Sequence, residues 1–160
     1  MRSFRQGVLA LLLLAGTSTP AWADVTLFLG ANTTPTNRQA RGGSLGIGLL
    51  IVGFEFEYSS TSEDLKTGAP SLKVGSGNGL LQTPVPIFVI QPYVTAGAGI
   101  FRERLGTSSE TGVAPNVGGG VKVSLAGPLR LRVDYRVFRL GDSARYTPSH
   151  RIYAGLNLKF

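Results

Sequence analysis

Apolar and polar residues alternate along much of this chain with a period of two. In 129–137, apolar or aromatic side chains occupy every odd position, and Arg130, Arg132, Asp134 and Arg136 fill the positions between them. No helix presents one consistent face with that spacing, whereas successive strand residues point to opposite sides of a sheet. The stretch 152–160 repeats the pattern, with Ile152, Ala154, Leu156, Leu158 and Phe160 on one face and Tyr153, Gly155, Asn157 and Lys159 on the other. Phe54, Phe56 and Tyr58 alternate with Glu55 and Glu57 in the same way. With turn-forming residues as boundaries, the pattern predicts eight strands, at 25–33, 44–51, 54–61, 72–83, 88–104, 116–125, 129–140 and 152–160. The fourth is the weakest, because Ser76 and Asn78 interrupt its apolar face.

One uncharged stretch, 74–101, invites a membrane helix, but Pro84, Pro86 and Pro92 would break its hydrogen-bond ladder. It reads instead as two strands joined through 84–92. The connections alternate in character. Those at 52–53, 84–92 and 126–128 are mostly short or apolar, whereas 34–43, 62–70, 105–115 and 141–149 are longer and polar. Short turns at one rim and long loops at the other predict an all-β chain folded as an eight-stranded antiparallel up-and-down transmembrane barrel.

Composition narrows the class. The 160 residues bound one domain, and 42% hydrophobic content with only 16% charged residues excludes a disordered polyelectrolyte. The absence of Cys removes disulfide scaffolds, Cys-ligated zinc and thiol nucleophiles, and a single His removes most His-based metal sites. No cofactor or metal is expected. Arg2 and Arg5, the apolar run 8–15 and Ala21-Trp22-Ala23 read as a signal peptide over 1–23, cleaved before Asp24. The domain is then 24–160, and losing two arginines lowers the net charge of +7 to +5. That excess would suit nucleic acid, but no stacking platform or basic helix accompanies it, so nucleic acid is not an expected partner.

Alternation alone leaves open which face points inward. A soluble lipocalin-like barrel would bury the apolar face, and a membrane barrel would do the reverse. Glycine recurs on the non-apolar face, at Gly46, Gly48, Gly97, Gly99, Gly118, Gly120 and Gly155. On a wetted face it would only weaken a strand, but in a narrow lumen it makes room for long side chains opposite. Several strands also have the length a tilted strand needs to cross a bilayer. Val25, Leu27, Leu29, Leu45, Ile47, Leu49, Leu129, Leu131 and Val133 then form the band facing acyl chains, with Tyr58, Tyr135 and Phe160 in the interfacial girdles.

The layout resembles the small eight-stranded outer-membrane barrels of the OmpA-like and OmpX-like type: a signal peptide, the Gly-rich strand Pro92-Tyr93-Val94-Thr95-Ala96-Gly97-Ala98-Gly99, an Arg-rich seventh strand and an aromatic end. Leu156, Leu158 and Phe160 resemble the C-terminal signal read by the barrel-assembly machinery, with Leu158 where an aromatic is common. The resemblance implies a bacterial outer-membrane protein with both termini in the periplasm, four loops outside and a monomeric state.

In such a barrel the charges of strand seven must be paired. Glu55 and Glu57 are expected to meet Arg130, Arg132 and Arg136 across the interior, with Asp134 in the same network. The network would serve as an ion gate or as a polar core that fixes register, and the tight filling of small barrels favours the core. Near the long-loop rim Arg38, Arg41, Arg102, Arg104, Arg139 and Arg145 are candidates for lipopolysaccharide phosphates or are solvated loop charges. Some barrels of this size are lipid A acyl hydrolases. Here His150 follows Ser149 directly, so the two point to opposite faces, and no His-x-Ser pattern is present. Gly118-Gly119-Gly120 and the glycines at 75, 77 and 79 lack the lysine and helix of a phosphate loop. The expected role is non-catalytic: membrane integrity or surface contact through the loops. A lipid A acyl hydrolase, a narrow pore and a soluble binding barrel are the alternatives.

Overall fold

The computed structural model describes residues 21–160. Nine strand segments follow one another: β1 (Ala21–Asn32), β2 (Arg38–Leu49), β3 (Val52–Thr61), β4 (Ser71–Gln82), β5 (Ile90–Leu105), β6 (Ser108–Val113), β7 (Asn116–Ala126), β8 (Leu129–Phe138) and β9 (Ser149–Lys159). Each pairs antiparallel with its neighbours, and β1 closes the sheet against β9. β6 and β7 are two halves of one wall strand along β5. Ala114 exchanges both backbone hydrogen bonds with Gly99, at 2.8 and 3.1 Å, so the ladder is interrupted only at Pro115, which has no N–H to give. The result is a closed barrel of eight wall strands.

The stagger follows from the pairing. Ile90 pairs with Val123, and the row runs on through Leu131, Leu156, Leu27, Gly43, Tyr58 and Gly75 before returning to β5 at Ile100, ten residues further along. Eight strands with that stagger tilt by about 40° and leave a backbone radius of roughly 8 Å, which side chains fill. Each row of paired residues therefore climbs by about 3 Å per strand crossed.

The apolar side of the alternation faces out. Leu27, Leu45, Phe54, Phe56, Ile100, Val117 and Leu156 are exposed, while Glu57, Arg132, Asp134, Arg136 and Asn157 are buried. Such an arrangement suits lipid rather than water as the surrounding solvent. Tyr58, Tyr135 and Phe160 are likewise exposed.

Several boundaries differ from the sequence expectation. β2 begins at Arg38 and not near Ser44, so the expected loop 34–43 shrinks to 33–37. The expected loop 105–115 is a hairpin extension turning at Gly106, where φ is +60°, and β6 pairs back onto β5. β9 begins at Ser149, three residues early. The β2–β3 turn is at Leu50 and Ile51, leaving Val52 and Gly53 in β3. In β4, Ser76 and Asn78 do not break a lipid face, because they point into the lumen, and Gly75, Gly77 and Gly79 point out. Residues 1–20, with most of the expected signal peptide, lie outside the described residues, and 21–23 continue β1 beyond the expected cleavage point.

Candidate functional site

The lumen gathers the chain's charges because three strands each turn alternate polar residues inward: β3 with Glu55 and Glu57, β8 with Arg130 to Arg136, and β9 with Arg151 and Tyr153. β3 and β8 stand opposite each other in the ring of eight, so their side chains meet across the barrel axis. Arg132 grips Glu55 with both terminal nitrogens, the Nη2–Oε1 contact being 3.2 Å. Its Nη2 also reaches Asp134 at 3.2 Å, and its Nε donates to the Tyr93 hydroxyl at 2.7 Å. That hydroxyl donates to Asp134 at 2.5 Å. Arg136 reaches Glu55 at 3.3 Å, Asp134 at 3.1 Å and Glu57 at 3.2 Å. Arg151 pairs with Glu57, which also accepts from the Tyr153 hydroxyl at 3.4 Å. Three guanidinium groups and three carboxylates thus share one layer, and their formal charges cancel. Charge-assisted and bidentate bonds of this kind are the strong ones.

Small residues make this layer fit. A side chain on Gly120 would run into the Tyr93 hydroxyl, 2.7 Å from the position of its Cβ. Phe28 stacks on Tyr153 at 4.0 Å, and a Cβ on Gly155 would lie 2.8 Å from that of Phe28. The rings also lie near the cations, with Arg132 4.8 Å from the centre of Tyr93 and Arg151 4.8 Å from that of Phe138.

Arg130 is not in this layer. It sits at the short-turn end of β8 and donates to Gln91 at 2.9 Å, two residues too low to reach either glutamate. Beside it Lys122 pairs with Asp24 at 2.9 Å. Above the ionic layer, toward the long loops, Leu72, Val74, Phe101, Ala114, Phe138 and Leu140 form an apolar plug inside the barrel. Sequence reasoning missed Arg151, Tyr93, Lys122 and Asp24. For Arg151 a signal existed: the inward alternation of Tyr153, Gly155 and Asn157 runs back through Arg151 to Ser149.

The six basic rim candidates separate. Arg38 is turned inward and 7% exposed, donating to the carbonyls of Thr34 at 2.9 Å, Ser62 at 3.2 Å and Pro70. It ties two loops to the barrel and is no longer available to a lipid phosphate. Arg41, Arg102, Arg104 and Arg139 face outward, and Arg145 lies in the β8–β9 loop, its backbone N–H donating to Glu103 at 2.9 Å. Arg102 donates to Ser109 and Arg104 to the Gly106 carbonyl, both at 3.2 Å. Lys73, overlooked in the sequence, pairs in register with Arg102 and also faces outward. Ser149 and His150 part company: Ser149 donates to Asn32 in the lumen at 3.2 Å, and His150 contacts the Tyr135 hydroxyl on the outer face at 2.7 Å. Leu156, Leu158 and Phe160 all face outward, and the Phe160 N–H donates to the Ala23 carbonyl at 2.8 Å. Among the described residues no cluster of His, Cys, Asp and Glu suits a metal ion, and no helix is long and apolar enough to cross a membrane.

No protein-family model matches the chain, and no curated protein does. Solved structures do. The N-terminal β-barrel domain of Pseudomonas aeruginosa OprF is similar with a TM-score of 0.68 at 15% identity, over 87% of this chain and 97% of that one. Neisserial surface protein A gives 0.67 at 18% identity, over 88% and 96%. Ail of Yersinia pestis, its attachment invasion locus protein, gives 0.60 at 14% identity, over 88% and 98%. A structure from the de novo design of transmembrane β-barrels is also similar, at 0.56 and 19% identity. The fold is that of a transmembrane β-barrel. For such a barrel the ionic layer lies at bilayer depth, screened from lipid by the wall, while Arg41, Lys73 and Arg102 stand where the wall leaves the apolar band.

Proposed function

We propose that this protein is a non-catalytic β-barrel of the bacterial outer membrane that contributes to membrane integrity and to surface contact through its long-loop end. The supporting observation is the filling of the lumen. A charge-balanced layer of six ionised side chains spans the axis and an apolar plug lies over it. Ions would have to displace paired charges and then pass the apolar cluster, so the lumen acts as a core and the working surface is the outside. Outward arginines at the rim meet lipopolysaccharide phosphates, Leu156, Leu158 and Phe160 serve recognition by the barrel-assembly machinery, and the barrel works as a monomer. Neither Ser149 nor His150 has a partner suited to acyl transfer, since they occupy opposite faces of β9.

Planar-bilayer recording tests the closed lumen. The expected result is a flat baseline for the wild type and for Glu55→Gln, and discrete openings abolished by Glu55→Gln would establish a gate instead. An acyl-release assay on lipid A is expected to show no product. Release that disappears in His150→Ala would overturn the non-catalytic reading.

A further inference from the structure

One row of paired residues crosses the outer face of the barrel from lipid toward solvent. It runs through Val133, Ala154, Leu29, Arg41, Ser60, Lys73 and Arg102. Because the strands tilt, the row climbs, and its chemistry changes on the way from apolar to hydroxyl and cationic. Among the described residues Arg41 and Lys73 make no ion pair and no side-chain hydrogen bond, although each is a long donor with an exposed head. The nearest carboxylate on this face is Glu63, which lies by Lys73 and Arg102 but accepts the Gly106 N–H at 2.5 Å.

Directly below this cationic stretch lies a groove of about 790 Å³ in the barrel's outer wall. Its sides are Leu27, Leu29 and Leu156 on one flank and Tyr58 on the other, and it ends under Arg41, Ser60 and Lys73. Small residues make the hollow: Ala154, which carries only a methyl group to the lipid face, lines it together with Gly42 and Gly155. Head and groove are therefore contiguous, cationic where the wall meets the headgroups and apolar where it meets the chains.

We infer that Arg41, Ser60 and Lys73, supported by Arg102, form a site for one phosphorylated acyl lipid of the outer leaflet, with the phosphate on the two cations and an acyl chain in the groove over Ala154. The inference rests on the outer-membrane reading above and sharpens it from scattered basic residues to one place. Charge complementarity selects the occupant: three cations outnumber the one carboxylate beside them, Glu63, and a phosphate monoester brings two negative charges and several acceptor oxygens. Arg139 and Arg145 do not line the groove and have no part in it.

The test uses the full barrel refolded in detergent, with folding of each variant confirmed by heat-modifiable gel mobility, so that failure of the barrel reading is seen separately. Binding of bis-phosphorylated lipid A is measured by native mass spectrometry. Arg41→Gln with Lys73→Gln is expected to weaken retention roughly tenfold or more. Ala154→Trp, which fills the groove without touching a charge, is expected to weaken it as well, and Arg139→Gln with Arg145→Gln to leave it unchanged. Dephosphorylated lipid A is expected to bind roughly tenfold worse. If the double variant does not fold, Lys73→Gln alone carries the same expectation with a smaller loss. Equal binding by a folded Arg41 and Lys73 variant, equal binding of the dephosphorylated lipid, or displacement by millimolar inorganic phosphate would each overturn the site, the last by assigning the row to free phosphate.

Discussion

Arg132 shows why individual lumen residues differ so much in consequence. It is fully buried and touches Glu55, Asp134, Tyr93 and Ser44, so its removal leaves buried carboxylates without their main partner. Breaking a buried ion pair by deleting one side costs far more than the pair itself contributes, because an uncompensated charge remains. Arg132→Gln is therefore expected to lower the unfolding free energy by about 3 to 5 kcal/mol, read from urea titration of the barrel in lipid vesicles. Arg130 is nearly as buried but has only the neutral Gln91 as a partner, so Arg130→Gln should cost about 1 to 3 kcal/mol. Equal losses would mean that the network does not concentrate at Arg132. Tyr93 belongs to the same argument, since its hydroxyl both donates to Asp134 and accepts from Arg132. Tyr93→Phe should cost about 1 to 3 kcal/mol on the same titration, and a change within error would show that Asp134 is satisfied without it.

At the scale of strands, the two kinds of glycine separate cleanly. A Cβ on Gly99 would collide with the Gly75 carbonyl oxygen and stand 2.7 Å from the Ser76 Cβ, whereas one on Gly77 would meet nothing within 4 Å. Gly99→Val is expected to destabilise the barrel by about 1 to 3 kcal/mol or to prevent folding, and Gly77→Val to be neutral or to stabilise by up to about 1 kcal/mol, measured on the same titration. The inward role of Gly97, Gly99, Gly118, Gly120 and Gly155 was legible because glycine makes sense on that face only in a crowded lumen. The opposite use on β4 was not, since Ser76 and Asn78 looked like defects until the facing was known. Strand ends toward the long loops were hidden for one physical reason. The wall rises out of the apolar band there, so outward positions such as Gln39 and Arg41 on β2, Ser109 and Thr111 on β6 and His150 on β9 are polar, and the apolar alternation stops while the hydrogen-bond ladder continues. The network was legible as far as Glu55, Glu57 and β8 made it. Arg151 dropped out with the first three residues of β9, and Arg130 was included because a period of two fixes the face of a residue but says nothing of its depth.

For the whole molecule, the charges form two populations that salt should tell apart. Those inside lie behind a closed wall, from the Lys122–Asp24 pair at one end, past the plug of Phe101, Phe138 and Leu140, to the buried Arg38 and Glu103 at the other. If the lumen is closed as proposed, mobile ions stay out of that space, and the screening that acts over about 8 to 10 Å in saline has no path to it. Those at the rim stand in water and are fully exposed to screening. The unfolding free energy in uncharged vesicles should therefore change by less than about 0.5 kcal/mol when salt is raised roughly tenfold, whereas capture of an anionic lipid at the rim should fall steeply over the same range. The contrast probes the architecture rather than a single contact: a barrel whose stability declined with salt as its lipid capture does would have a lumen that ions enter. That outcome would contradict a core made of six mutually neutralised side chains under an apolar lid.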